Sequence, residues 1–132
     1  MRSLKRTVPT DLPTTRERFS AALAEQGFGV LSDIDVQAIF ETKLGAKHEP
    51  HRILGVCNPQ FAKQALDMDR DIALLLPCTA TLREIDGETE VAILDPEHAF
   101  TLADEATRER LAPLASEVRE RLSAALQALA SS

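Results

Sequence analysis

The sequence predicts an α+β domain: a mostly antiparallel sheet with helices packed on one face, in the order β-α-β-α-β-α-β-β-α. Three observations lead there. Strand-sized runs such as "HRILGVC" alternate with stretches whose apolar residues follow helical spacing. Asp86-Gly87 separates two strand-like runs and reads as a two-residue hairpin turn, a connection open only to antiparallel strands. The tail carries one long helical stripe: Leu111, Leu114, Val118, Leu122, Ala125 and Leu129.

Each element has its own signal. "SLKRTV" alternates weakly and suits an edge strand. Thr14 and Glu17 match a capping box, and Phe19, Ala22, Leu23 and Gln26 keep helical spacing. Together they predict a first helix over Thr15 to Gln26, with Gly27 as its stop. "GFGVLSDI" is a strand with Phe28, Val30, Ser32 and Ile34 on one face, Leu31 and Asp33 on the other. Asp35 caps a second helix bearing Val36, Ile39, Phe40 and Leu44, and Gly45 ends it. "AKHEP" is a loop, and "HRILGVC" is a strand.

Asn58 and Pro59 then start a third helix, whose apolar side is Phe61, Ala62, Ala65 and Leu66. Asparagine accepts hydrogen bonds from free amides at the cap. Proline fits the first helical position because its missing donor would be unpaired there anyway. "DIALLLPCTATLREI" reads as the longest strand, with Ile72, Leu74, Leu76, Cys78, Ala80 and Leu82 sharing one apolar parity. Pro77 lacks a ladder donor and so marks a bulge or an edge-facing position in it. "TEVAIL" returns after the hairpin turn, and Asp95-Pro96 repeats the cap-then-proline device to open one short helical turn. Pro113 would break a helix interior, which predicts that the last helix starts there.

Composition bounds the function. The 132 residues suit one domain, 1–132. A chain of this size buries roughly two thirds of its unfolded surface and needs no disulfide or metal to fold. A net charge of −6 repels a phosphate backbone, and the absence of Trp and Tyr removes aromatic stacking platforms, so no nucleic-acid partner is expected. The basic opening "MRSLKRTV" is a solvated face. No secretory signal and no membrane-length apolar run is present, so the expected location is cytoplasmic, with both cysteines reduced.

The candidate chemistry centres on Cys57, where a strand ends one residue before a helix begins. A thiol facing a helix N-terminus has a lowered pKa and becomes a nucleophile or redox group. The simpler reading is a small buried hydrophobe beside Gly55. Cys78 lies on an apolar strand parity, where a core role is simpler still. His48 and His51 with the two thiols would suit zinc in ligand type, but their spacing matches no zinc motif, so no metal is expected. Asp33, Asp35 and Glu41 tempt an acid–base reading; Asp35 is more simply a cap and Glu41 a solvated helix residue. No phosphate loop, hydrolase triad or dinucleotide fingerprint appears, so no cofactor is expected.

Three segments in order, "EQGFGVLSDIDVQAIFETKLG", "HRILGVCNP" and "IALLLPCTATLRE", resemble the domain-of-unknown-function 302 (DUF302) family. The resemblance covers roughly Phe19 to Leu129. It implies a small α+β domain with a sheet and flanking helices, and a homodimer; it brings no established activity. Members often carry tyrosine where this chain has His51.

The expected function is therefore a small homodimeric binding module. Its site would be a shallow pocket around Cys57, Asn58 and Cys78 with His51 and Arg52 nearby, holding a small anion at the helix N-terminus. The alternatives are a thiol-based redox sensor or catalyst using Cys57, and a purely structural dimer. The tail stripe adds to the dimer expectation, being longer than one small sheet is expected to cover.

Overall fold

Ten helices and strands follow one another: β1 (Ser3–Val8), α1 (Leu12–Glu25), β2 (Gly29–Asp35), α2 (Val36–Leu44), β3 (His51–Cys57), α3 (Pro59–Met68), β4 (Cys78–Ile85), β5 (Glu88–Leu94), α4 (Pro96–Ala99) and α5 (Glu105–Ala130). Turns of 3₁₀ helix occupy Arg70–Leu75 and Phe100–Leu102. The computed structural model describes residues 1–130, so the end of the expected domain, 131–132, lies outside the described residues. The five strands pair antiparallel in the spatial order β1-β5-β4-β3-β2, which leaves β1 and β2 as edges.

The fold class and element order are those expected. Phe19 and Leu23 of α1 and Val118 and Leu122 of α5 pack on Leu54, Val56, Leu82 and Ile93 of the sheet. Each large side chain fully buried there contributes about 1.5–3 kcal/mol. A smaller cluster, with Ala65, Ile72, Phe100, Leu111 and Leu114, sits beyond the α3 side. The hairpin turn is confirmed: Asp86 and Gly87 have φ of 54° and 80°, the doubly left-handed pair of a type I′ turn.

Several expectations are corrected. The first helix starts at Leu12, not near Thr15. Its cap is Asp11, whose carboxylate accepts from Thr14 N at 2.9 Å, and Pro13 fits the first turn. In β2 the alternation fails: the register shifts between Val30 and Ser32, so Val30 pairs with Val56 while Ser32 pairs with Gly55, and the two side chains take opposite faces. The long strand-like run is divided. Arg70–Leu75 forms 3₁₀ turns, because Asp69 caps them through Asp71 N and Ile72 is buried in the smaller cluster. Only Cys78–Ile85 is a strand, and Pro77 stands just before it, joined to Leu76 by a cis bond.

Pro113 does not start the last helix. It lies inside α5 with its ring exposed, and Leu111 and Leu114 on either side anchor the helix in the smaller cluster. That burial offsets the hydrogen bond a proline removes. The tail stripe is covered within the chain: Leu111, Leu114, Val118, Leu122, Ala125 and Leu129 are all buried. It therefore gives no argument for a dimer.

Candidate functional site

The turn after β3 is built as its residues dictate. β3 ends at Cys57, Asn58 is the cap of α3, and Pro59 sits in its first turn. The Asn58 carboxamide oxygen accepts from Gln60 N at 3.1 Å and Phe61 N at 3.4 Å. Its amide nitrogen donates to the Gln26 carbonyl at 3.5 Å, tying α3 to the end of α1. Arg121 of α5 donates to the same carbonyl at 3.4 Å and lies over the Phe61 ring at 5.1 Å. It also pairs with Glu117, so its charge is already engaged.

Cys57 and Cys78 share one cavity beneath this turn, walled by Phe28, Phe61, Leu76 and Phe100 among others. The register explains the meeting: Cys78 pairs with Val56, one residue before Cys57. The cavity volume is only about 20 Å³. One ordered water needs about 10–15 Å³ by this measure, and an apolar cavity of that size stays dry.

Burial raises the Cys57 thiol above its ordinary pKa, the opposite of the lowering expected at a helix N-terminus. Burial, and then the neighbouring Cys57, push Cys78 up to about 11. Both thiols therefore keep their protons at neutral pH. The backbone around them is tight as well. A Cβ added at Gly55 would stand 2.4 Å from Ser32 Oγ and 2.7 Å from Pro77 Cγ, so the Pro77 ring covers the strand where only glycine fits.

The structure brings Cys57, Asn58 and Cys78 together and leaves His51 and Arg52 at the other end of β3. Arg52 pairs with Asp33 at 3.4 Å and Asp35 at 3.5 Å. Arg16 also pairs with Asp33, at 3.0 Å. The three acidic candidates are thus divided: Asp33 and Asp35 serve arginines, and the Asp35 carboxylate also caps α2 through Ala38 N. Glu41 is exposed on α2.

His48 Nε2 and His51 Nδ1 meet at 3.0 Å, their rings stack at 5.2 Å, and Phe40 packs edge-on against His48. Burial and the nearby His48 hold His51 below its ordinary pKa. Among the described residues, no three His, Cys, Asp or Glu side chains converge to hold a metal ion. The walls Phe28, Phe61 and Val118 each belonged to an apolar stripe in the sequence, but no local signal shows that the stripes meet at the cysteines.

Comparison with known proteins now decides the family. The family model described as "Domain of unknown function DUF302" matches residues 4–129. The chain belongs to the DUF302 family. The match begins within β1, so the family unit includes the edge strand as well as the segment from Phe19 onward. Among solved structures, the chain is similar to the uncharacterized conserved protein DUF302 from Bacillus stearothermophilus. The two are 30% identical with a TM-score of 0.84, over 96% of this chain and 97% of that one. A search of curated proteins finds no match. The DUF302 assignment establishes the fold and carries no activity with it.

Proposed function

We propose that the chain works as a self-associating binding module, a homodimer joined through the β2–α2 edge. The observation that carries this is a run of uncovered apolar side chains on two consecutive elements. Leu31, Ile34, Ile39, Phe40 and Leu44 are 37–72% exposed, while only Val36 of α2 is buried. Burying such side chains yields about 1.5–3 kcal/mol each when exposure is complete. Ten of them across a two-fold axis, each partly exposed at the start, give a gain of the same order as the ~4–15 kcal/mol cost of association.

Charge supports a second copy as the occupant. Of the three acids on this edge, Asp33 and Asp35 are already paired with Arg16 and Arg52, which leaves the exposed Glu41 beside Lys43 on α2. The proposed setting is cytoplasmic. Both cysteines are free thiols, which suits a reducing compartment, and no helix among the described residues is long and apolar enough to cross a membrane. A net charge of −6 keeps nucleic acid off the list of proposed partners.

Sedimentation at micromolar concentration tests the proposal. The expected result is a dimer that Leu31→Glu and Leu44→Glu convert to monomer while the circular dichroism stays unchanged; a monomeric parent protein would sink it. A thiol-based role is the second reading, favoured by the cavity the two cysteines share. It requires a thiolate to form, since both thiols are protonated at rest and both are part-buried.

A further inference from the structure

We propose that the cleft between β1, α1 and the end of α5 binds a small organic oxyanion, a phosphate monoester or a carboxylate, through Arg6 and Arg18. The proposal is independent of the dimer reading. The cleft has a volume of about 250 Å³ and is lined by Arg6, Thr7, Thr10, Thr15 and Arg18, with Val8, Pro9 and Leu129 as an apolar wall. Substrate and cofactor pockets are typically about 300–1,000 Å³, so this one suits a ligand at the small end of the range.

The charges single it out. Arg2 and Arg119 pair with Asp95, Arg16 and Arg52 with Asp33, Arg83 with Glu49 and Glu90, and Arg121 with Glu117. Among the described residues Arg6 and Arg18, like Arg70, Arg108 and Arg110, take part in none of these ion pairs; what sets Arg6 and Arg18 apart is that they line one cleft with no aspartate or glutamate among its described lining residues. In a chain of net charge −6, two arginines line one cavity with no carboxylate side chain among its described lining residues. An oxyanion accepts bidentate hydrogen bonds from such a pair.

Hydroxyls complete the polar side. Thr10 Oγ1 and Thr15 Oγ1 lie 2.6 Å apart, and either can be the donor. Thr15 is fully buried, while Thr10 is half-buried at the cleft. The Thr15 hydroxyl has two acceptors in reach, Thr10 Oγ1 and the Thr10 carbonyl at 3.4 Å; when it donates to Oγ1, the Thr10 proton is free to turn to an oxygen of the ligand. The Thr10 carbonyl is fixed from behind by Thr89 Oγ1 at 2.8 Å, so the loop that carries this hydroxyl is held. Two acids lie between Arg6 and Arg18 in the chain, Asp11 and Glu17; neither lines the cleft, and the Asp11 carboxylate is engaged with Thr14 N at the helix cap. Val8, Pro9 and Leu129 give an apolar body a place to lie, which free inorganic phosphate would not use.

Titration of the intact protein with phenyl phosphate, benzoate and inorganic phosphate tests the site, read by calorimetry and by amide chemical shifts of residues 6–18. The expected result is saturable binding of phenyl phosphate or benzoate, whichever binds tighter naming the head group, with inorganic phosphate weaker. Arg6→Gln and Arg18→Gln should each weaken it at least about tenfold, the loss of one charge-assisted contact. Unchanged melting temperatures would show that neither variant acts through the fold. Absence of saturable binding by all three probes up to about 10 mM, a threshold weaker than any useful small-ligand affinity, overturns the proposal. So does binding that survives in the double variant.

Discussion

The cavity shared by Cys57 and Cys78 has a volume of about 20 Å³, whereas the cleft beside Arg6 and Arg18 has about 250 Å³. The first is walled by phenylalanine and leucine and holds two protonated thiols; the second is lined by two arginines and three threonines. The residues that look reactive in the sequence sit in the small apolar space. Those that look ordinary sit in the larger polar one. A thiol, an asparagine and a proline in a row answer a local problem, ending a strand and starting a helix in one step. Binding an anion needs cations without partners, and that property is set by which carboxylates the fold brings near.

The strongest way to break this contrast is thiol reactivity. A rise of the Cys78 pKa from 9.0 to about 11 leaves roughly one hundredth of the thiolate at neutral pH. In a Cys57→Ala background, which keeps burial as the larger cause of the shift and removes the Cys57 contribution, alkylation of the folded protein should therefore run many-fold slower than in denaturant, by up to about 100-fold before shielding slows it further. Equal rates would mean that the cavity is open. The same shift has a stability consequence. The unfolded chain loses this proton near pH 9.0 while the folded chain keeps it to about 11, so stability is intact below the first value and falls as pH rises between the two.

A smaller effect is expected at the cap. Asn58→Ala leaves the amides of Gln60 and Phe61 without their acceptor and releases the link to Gln26. The expected loss is about 1 kcal/mol in urea unfolding, with phenyl phosphate binding unchanged. If binding fell with it, the two regions would not be separate.

The sequence made visible what short-range chemistry fixes. Asn58-Pro59, Asp95-Pro96, Asp35 and Asp86-Gly87 each specify a cap or turn within four residues, and each is where it was expected. It hid what distant packing decides. Arg70–Leu75 reads as strand until Ile72 finds the smaller cluster, and Pro113 reads as a start until Leu111 and Leu114 are seen buried on either side of it. The site followed the same division. Cys57, Asn58 and Cys78 could be placed together from strand pairing and a cap. The fate of Arg52 depended on Asp33 and Asp35 of a neighbouring strand, and the freedom of Arg6 and Arg18 on the absence of any such neighbour among the described residues that line their cleft.

Arg52 gives the sharpest form of the comparison, although its own energetic effect is the smallest. It was the natural anion ligand in the sequence, one of the two cations in the ten-residue stretch from Glu49 to Asn58 if His51 is counted. In the structure its guanidinium is shared by Asp33 and Asp35 at 3.4 and 3.5 Å, and all three side chains are partly exposed. Ion pairs of that kind contribute about 0–1 kcal/mol, because water screens the attraction and the long side chain loses freedom. Asp33 also keeps Arg16 at 3.0 Å when Arg52 is gone. Arg52→Gln should therefore shift the urea midpoint by less than about 0.5 kcal/mol equivalent and leave oxyanion binding at the wild-type value. Arg18→Gln, an equally conservative change on an exposed helix position, should do the reverse. Loss of oxyanion binding in Arg52→Gln alone would return the anion to the β2–β3 end of the sheet and assign the arginines of the cleft to the solvated surface.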